Sequence, residues 1–371
     1  MQKECTIVFY IGWLYKGGAE RVVVNLADYF HQQGWKVYIV TPKKHETEYK
    51  ISDGIDRVIS DLADSEVTGS RIKNLRARIR KLRQVFMECK PNVIVSFLGK
   101  NNFMAIQAAK PLGIPVVVSV RSDPQREYKN FAMRVLVKPM FKRASGVILQ
   151  TQEAMNYFPQ SIRKKSVILP NSLKPAFVKP YYDGERIPVI VTAGRFDDNK
   201  NQILLIKAFQ EIAADYPQVE LRLYGEGPAQ SKWEQYISEN ISYNIASRIH
   251  FMGVRDNLEE LIYQDSIFVL TSIVEGMPNA LIEAMALGLA VISTDCPCGG
   301  PRELIGNNEN GILIKSYTDP RELADALRRV LSDKKLAWRL SQNAYRKTRE
   351  YLPEVVNAQW REYLQSLMKD S

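Results

Sequence analysis

Short apolar, β-branched runs alternate along the chain with longer stretches whose apolar residues return every three or four positions, the pattern of parallel α/β units. In the first half the runs fall at 6–10, 36–41, 92–97, 114–120, 146–150 and 165–169, with helical periodicity at 19–33, 70–89 and 101–112. Ile168-Leu169-Pro170-Asn171-Ser172 then leads into a polar, proline-punctuated connection that lasts to Pro188. Beyond it the pattern restarts. Strands are predicted at 189–193, 219–224, 248–251, 267–270, 290–293 and 311–314, and helices at 201–216, 229–239, 257–263, 280–287 and 320–331. From Lys334 onward the chain reads as helix, broken at Pro353. The expected fold is α/β: two doubly wound Rossmann-like domains, 1–175 and 176–351, then a helix over 352–371 that packs back on the N-terminal domain. Facing one another, two such domains turn the carboxyl ends of both sheets to one cleft, where sheets of this kind bind ligands.

Composition narrows the class. With 371 residues, 45% hydrophobic and 25% charged, the chain is long enough to bury a core without disulfide or metal staples. No apolar run approaches the roughly 18–20 residues that span a bilayer. The run from Thr6 to Leu14 is short, leads into Lys16-Gly17-Gly18 rather than a cleavage site, and reads as a first core strand. Cys5, Cys89, Cys296 and Cys298 are too few for a disulfide framework, which makes the reducing cytosol the expected compartment. Cys296-x-Cys298 has half the makings of a metal site, but no other Cys or His is close in sequence to complete it.

The net charge of +10 is unevenly placed. Residues 1–185 hold 30 Lys and Arg against 16 Asp and Glu, while residues 186–371 hold 21 against 25. The basic half calls for an anionic partner: nucleic acid, a membrane face or a phosphorylated substrate. Its densest stretch, 71–83, has seven basic residues and no acid. Ser70 is the expected N-cap of a helix there, and Ile72, Leu75, Ile79, Leu82 and Phe86 form one apolar stripe. Lys73, Arg76, Arg80 and Arg83 make a second row, about 15 Å long at helical rise. Buried on its stripe, such a helix lays cations against phosphate head groups; the plainer reading is a solvated surface face. Nucleic acid is disfavoured because no aromatic residue interleaves with the cations.

Four loops could carry chemistry. Lys16-Gly17-Gly18-Ala19-Glu20-Arg21 follows the first strand and opens the first helix, where backbone amides can meet a phosphate or simply make a tight turn. It is neither a P-loop nor a dinucleotide fingerprint. Gly194-Arg195-Phe196-Asp197-Asp198-Asn199-Lys200-Asn201 sets two cations at a strand's carboxyl end, suited to a diphosphate or else a pair of solvated charges. Tyr224-Gly225-Glu226-Gly227-Pro228 permits close backbone approach by a nucleotide base, or makes a turn. Glu275-Gly276-Met277-Pro278-Asn279 runs into a helix starting at Pro278 or Asn279, with Glu283 about one turn inside. Its two carboxylates can accept hydrogen bonds from sugar hydroxyls.

Together, Gly17-Gly18, Arg195…Lys200, Gly225-x-Gly227-Pro228 and Glu275-x7-Glu283 resemble, over essentially the whole chain, retaining GT-B-fold nucleotide-sugar glycosyltransferases of family four. Gly17-Gly18-Ala19-Glu20-Arg21, Val95-Ser96-Phe97-Leu98 and the basic helix are most similar to N-acetylgalactosaminyl and related transferases that extend bacterial lipid-linked, capsule or O-antigen glycans. The resemblance implies a UDP-sugar donor, a lipid-linked or cell-surface glycan acceptor, an α-linkage formed with retention, no metal cofactor, and a cytoplasmic protein peripheral on an anionic membrane. It implies that Arg195 and Lys200 neutralise the leaving diphosphate and that Glu275 holds donor sugar hydroxyls near Gly276, Met277, Pro278 and Asn279. Glu283 would hold the ribose, Gly225 and Gly227 would adjoin the nucleotide, and Gly17 and Gly18 would approach the distal phosphate. Lys73, Arg76, Arg80 and Arg83 would hold the acceptor's lipid diphosphate.

One position departs from the family pattern. Many members carry Ser-x-His after the fourth strand, whereas this chain has Ser119-Val120-Arg121-Ser122-Asp123-Pro124, which sets Arg121 at the donor sugar or bridges it to Asp123. Two other readings remain on the same fold: a catalytically silent basic membrane-peripheral binding protein, and a sugar-nucleotide epimerase or hydrolase. The intact Arg195, Lys200, Glu275 and Glu283 disfavour the first, and the basic half disfavours the second.

Overall fold

The computed structural model describes residues 5–15 and 17–369, so Lys16 of the first loop lies outside the described residues. The chain divides into two compact units, one of Met1–Asn171 with Glu354–Ser371, the other of Ser172–Pro353.

In the first unit β1 (Thr6–Tyr10), β2 (Lys36–Thr41), β3 (Asp56–Ile59), β4 (Val93–Phe97), β5 (Val116–Ser119), β6 (Gly146–Leu149) and β7 (Ser166–Ile168) form one sheet. Its order is β3-β2-β1-β4-β5-β6-β7, parallel throughout. Side chains alternate between its faces. Ile7, Phe9, Val37, Ile39, Val93 and Val95 pack with Val23 and Phe30 of α1 (Gly18–Gln32) and with Val356, Trp360 and Leu364 of the C-terminal helix Pro353–Lys369. On the opposite face Tyr10 meets Phe86 of α2 (Arg71–Cys89) edge-on. There α2 packs against α3 (Gly99–Ala109), which in turn packs against α5 (Phe131–Phe141); the short α4 (Pro124–Glu127) precedes α5.

The sequence pattern singles out neither β3 nor the helices between 121 and 145. β3 is a four-residue edge strand with no fully buried side chain, and its Asp56 pairs with Lys36 of β2 at 3.2 Å. It carries too little apolar signal to show. α5 has Pro139 inside it and apolar residues on two sides, which erases the amphipathic period. Each of the twelve predicted strands coincides with an observed one.

In the second unit β8 (Ile187–Ala193), β9 (Glu220–Tyr224), β10 (Ile249–Gly253), β11 (Asp265–Leu270), β12 (Ala290–Thr294) and β13 (Ile312–Ile314) make a parallel sheet in the order β10-β9-β8-β11-β12-β13. Ile190, Leu221, Val269 and Ile292 pack on Leu205 and Phe209 of α6 (Gln202–Ile212). The other face buries Phe268 and Val191 with Leu281 and Met285 of α7 (Asn279–Ala286). Among the described residues no helix is long and apolar enough to cross a membrane.

One charge is enclosed at the amino end of this sheet. Asp265 opens β11 almost fully buried, 3.5 Å from the Arg222 guanidinium. Burial pushes its carboxyl up to about 6, against the pull of Arg222 and Arg186. The unfolded carboxyl titrates near 3.9, so between about pH 4 and 6 the folded state binds the extra proton and stability falls as pH rises. Asp265→Asn should therefore flatten the fall in melting temperature of the wild type over that range, as followed by circular dichroism. Parallel curves would place the proton elsewhere.

Candidate functional site

In the second unit the order of adding strands reverses at β8, which has β9 on one side and β11 on the other. At such a switch point the loops leaving the carboxyl ends diverge and open a crevice. The loop after β8 carries Arg195 and Lys200; the loop after β11 carries Glu275. Hydrogen bonds to backbone carbonyls join the two: Ile273 N donates to Asn199 O at 2.8 Å, and Thr271 Oγ1 to Lys200 O at 2.9 Å. Asn199 Nδ2 donates to Val274 O at 3.1 Å. On this frame Lys200 Nζ reaches the Glu275 carboxylate as a close ion pair, both side chains mostly withdrawn from water. Partial dehydration makes the pair tighter than a surface one. Arg195 stays 72% exposed, its Nε 3.8 Å from Asp197 Oδ2. Asp197 also accepts from Lys200 N at 2.9 Å, which fixes the turn.

Gly225 and Gly227 owe their identity to this same loop. A Cβ on Gly225, at φ +137°, would stand 1.9 Å from Gly194 O, and one on Gly227 would stand 2.2 Å from Phe196 O. Gly194 N donates to Tyr224 O and Phe196 N to Glu226 O, each at 2.9 Å. At both glycines the protein itself, in the loop that bears Arg195, already needs the room a Cβ would take.

α7 starts at Asn279 with Pro278 as its N-cap, as its sequence predicts, and Glu283 is buried in its second turn. Gly276, Met277 and Pro278 are buried too, and a Cβ on Gly300 would fall 1.4 Å from Gly276 O, so two backbones touch behind the Glu275 turn. Cys296 and Cys298 are buried thiols, and burial pushes Cys296 up to about 12. Among the described residues no three His, Cys, Asp or Glu side chains gather where they could hold a metal ion.

In the first unit the corresponding switch lies between β1 and β4. Gly17 is the N-cap of α1 and Gly18 its first residue. A Cβ on Gly17 would meet Glu20 Oε2 at 2.3 Å, so a carboxyl group already stands where an anion was expected. Burial raises the pKa of Glu20. Arg121 turns inward within its own unit. Its guanidinium donates to Asn171 Oδ1 and lies 6.0 Å from the Trp360 ring, and burial lowers its pKa to about 9. It makes no bridge to Asp123, which instead caps α4 by accepting from Gln125 N at 2.9 Å.

Sequence reasoning passed over Glu127. At the carboxyl ends of β4 and β5 its carboxylate accepts from Gly99 N, from Ser122 Oγ at 2.8 Å and from Tyr128 Oη at 3.3 Å. Burial raises its pKa. It braces the turn from Leu98, held at φ +70°, into α3. An Asp-Pro start followed by Glu four residues after the cap was the available signal.

The basic helix departs from expectation at both ends. Ser70 caps it, accepting from Lys73 N, and Leu82 and Phe86 are fully buried. Ile72 and Leu75, placed on the same stripe, are exposed. Arg83 turns away from the row: its Nε donates to Ala108 O at 3.2 Å and its Nη2 to Gln107 O at 3.4 Å, satisfying carbonyls at the end of α3. Arg78 pairs with Asp61 at 2.7 Å. Lys73, Arg76 and Arg80 remain and, with Lys81, Thr68 and Asn74, line a groove of ≈ 630 Å³ along α2.

Two parallel-sheet units with charged loops at their switch points have the architecture of GT-B glycosyltransferases. Residues 16–177 match the model described as Glycosyltransferase Family 4, and residues 180–347 that described as Glycosyl transferases group 1. The chain belongs to the GT-B glycosyltransferases, with a family 4 domain followed by a group 1 domain. It is 23% identical, over 95% of its length and 96% of the relative's, to an α-1,4-N-acetyl-D-galactosaminyltransferase of Campylobacter jejuni named for a PP-undecaprenol-linked acceptor. A second N-acetylgalactosaminyltransferase of that organism, named for a diphospho-undecaprenol acceptor, is 24% identical over 91% of this chain and 92% of its own. Among solved structures, sucrose-phosphate synthase from Thermosynechococcus elongatus superposes with a TM-score of 0.81 at 20% identity, covering 99% of this chain and all of the other. HepE of Anabaena, in complex with UDP and glucose, gives 0.79 at 19% over 98% of this chain and all of its own.

The two kinds of arginine on α2 separate by experiment. Arg83→Ala should cost about 1–2 kcal/mol by leaving two carbonyls without a charged donor. Arg76→Ala and Arg80→Ala should change stability by less than ~0.5 kcal/mol. Calorimetric titration with inorganic pyrophosphate should show the reverse order, with binding weakened by the second pair and not by Arg83→Ala.

Proposed function

We propose that the protein transfers a hexose or N-acetylhexosamine from a UDP-sugar to a lipid-linked or cell-surface glycan, retaining the anomeric configuration and forming an α-linkage. The observation that carries the reading is the Lys200–Glu275 pair at the switch point, with the Arg195 side chain free to solvent beside it. An incoming diphosphate competes with Glu275 for Lys200 and gains Arg195 as a second cation. Glu275, released, accepts from hydroxyls of the donor sugar near Gly276, Met277, Pro278 and Asn279, while Glu283 takes the ribose. HepE's complexes with UDP and UDP-glucose support a uridine donor, and the named acceptors of the Campylobacter relatives support a lipid diphosphate.

In the reaction the bond from the anomeric carbon to the β-phosphate oxygen breaks, and one from the acceptor oxygen forms on the same face. The acceptor proton passes to the departing phosphate oxygen, so no general base is required. Catalysis is mainly electrostatic: Arg195 and Lys200 meet charge that grows as the phosphate leaves. Two side-chain cations fill the part a divalent ion would otherwise play, and the reaction as read uses no metal. Arg121 reaches the donor sugar only by exchanging Asn171 for it, and Gly17 and Gly18 reach the distal phosphate only beside Glu20. The acceptor diphosphate lies along Lys73, Arg76 and Arg80, which places the protein on the cytoplasmic face of an anionic membrane.

A thermal-shift panel of UDP, GDP, ADP and their sugar conjugates tests the donor. A ligand at 100 times its dissociation constant stabilises by about 2.7 kcal/mol. UDP and one UDP-sugar should raise the melting temperature, Arg195→Ala should reduce the shift, and Glu275→Ala should abolish turnover while leaving the circular dichroism unchanged. A panel with no shift, or an active Glu275→Ala, would refute the reading.

A further inference from the structure

The second unit has a cavity at the end of its sheet away from the Lys200–Glu275 pair. Ser266, Ile267 and Ala290 line it at the starts of β11 and β12, so it opens at the amino ends of the strands. β8 is seven residues long, which at strand rise sets the cavity roughly 20 Å from the loop that carries Lys200. Its volume of ≈ 560 Å³ lies within the range of small-molecule sites, about 300–1,000 Å³.

Two tied walls hold it open. One is the segment 181–186, part of the connection between the units. The Arg186 guanidinium donates to Tyr263 O at 3.2 Å, Asp265 O at 2.9 Å and Leu287 O at 3.0 Å. It lies 5.8 Å from the Tyr181 ring and 5.5 Å from that of Tyr182. Tyr181 Oη shares a hydrogen bond of 2.8 Å with Ser341 Oγ. The other wall is the helix Lys334–Lys347, whose Lys334, Ala337, Trp338 and Ser341 recur at the spacing of one helical face. Leu340 and Ala344 of that helix are buried, whereas Trp338 is 58% exposed. A large ring left open on a cavity wall offers its face to a ligand.

The lining decides what fits. Its floor is apolar, with Ile267, Ala290 and Val330 buried. Its rim is polar, with Asp183, Glu185, Gln218 and Lys334 exposed. Lys334 is paired with Glu185 at 3.1 Å, and both terminal nitrogens of Arg186 donate to carbonyls. Asp183 tips the rim toward negative charge, so a phosphate or a nucleotide meets no spare cation there. An alkyl chain leaves the carboxylates and the amide unanswered. A pyranose ring answers both surfaces. One of its faces is carbon-bound hydrogen, which stacks on an indole or a phenol, and its edge carries hydroxyls for carboxylate and amide groups.

We propose that this cavity is a second, non-catalytic glycan site that takes an uncharged sugar residue, its C–H face on Trp338 and Tyr182 and its hydroxyls toward Asp183, Glu185 and Gln218. It holds a glycan by a residue other than the one being extended, which raises the local concentration of acceptor. The choice of a sugar rests on the transferase reading; the cavity and its walls do not.

The test uses the full chain labelled with fluorotryptophan. Methyl α-glycosides of N-acetylgalactosamine, N-acetylglucosamine, galactose and glucose are titrated in turn. The Trp338 fluorine resonance, assigned by its loss in Trp338→Phe, should shift with at least one of them. Saturation transferred from the protein should fall mainly on the ring C–H protons of that glycoside. Trp338→Ala should weaken the binding at least tenfold, with circular dichroism and the thermal shift by UDP unchanged. Should that variant misfold, Asp183→Ala at the open rim should weaken it at least threefold. Glu275→Ala should bind the glycoside as the wild type does. A Trp338 resonance that no glycoside moves at tens of millimolar overturns the proposal, as does a folded Trp338→Ala that binds as the wild type. So does a resonance that answers to inorganic pyrophosphate instead, or one that moves with protein concentration alone because the face joins two copies. The thermal shift by UDP reports the donor site by itself, so failure of the donor reading and failure of this one are told apart.

Discussion

Parallel strands cannot be joined by tight turns. Each connection must cross back over the sheet, so within a unit every strand's carboxyl end points the same way. That constraint gathers the loops after β8, β9 and β11 at one edge of the second unit although some 75 residues separate Lys200 from Glu275. It also makes the edge a place where loops are positioned by hydrogen bonds to backbone carbonyls. The loops after β8 and β11 are tied by amide and hydroxyl bonds before any charge is considered, and the ion pair rests on that frame.

The glycines act through the same frame. Gly225, Gly227 and Gly300 each touch another loop's backbone at a distance no Cβ permits. Their absent side chains set how closely neighbouring loops approach, and through that the reach of Arg195 and Glu275. A ligand-facing role and a packing role look alike in a sequence, since both demand a missing Cβ.

Charge is handled differently in the two units. In the second, acids answer cations at short range: Lys200 with Glu275, Arg222 with Asp265, Arg302 with Asp295. In the first, the cations of α2 and α5 outnumber the acids of those helices, and among the described residues several form no ion pair. Folding alone gives no reason for that excess, since like charges on one helix repel.

The two-domain α/β architecture was legible because parallel strands buried on both faces read as bare β-branched runs, and the loops that follow such strands are where ligands bind. Arg195, Lys200, Glu275 and Glu283 could be placed at strand and helix ends by counting alone. What periodicity could not say was which side of a helix meets the core. On α2 it gave one stripe, yet Leu82 and Phe86 are buried while Ile72 and Leu75 are exposed; on α5 two opposed stripes cancelled the period and hid the helix. Nor could it show that Arg83 bends to carbonyls of α3, that Arg121 turns toward Asn171 and Trp360, or that Glu127 braces Gly99. The sequence determined which segments fold and which loops share an edge, because local pattern and crossover geometry suffice for that. Only the tertiary structure decided which cations are engaged and which apolar residues stay bare, because both depend on neighbours remote in the chain.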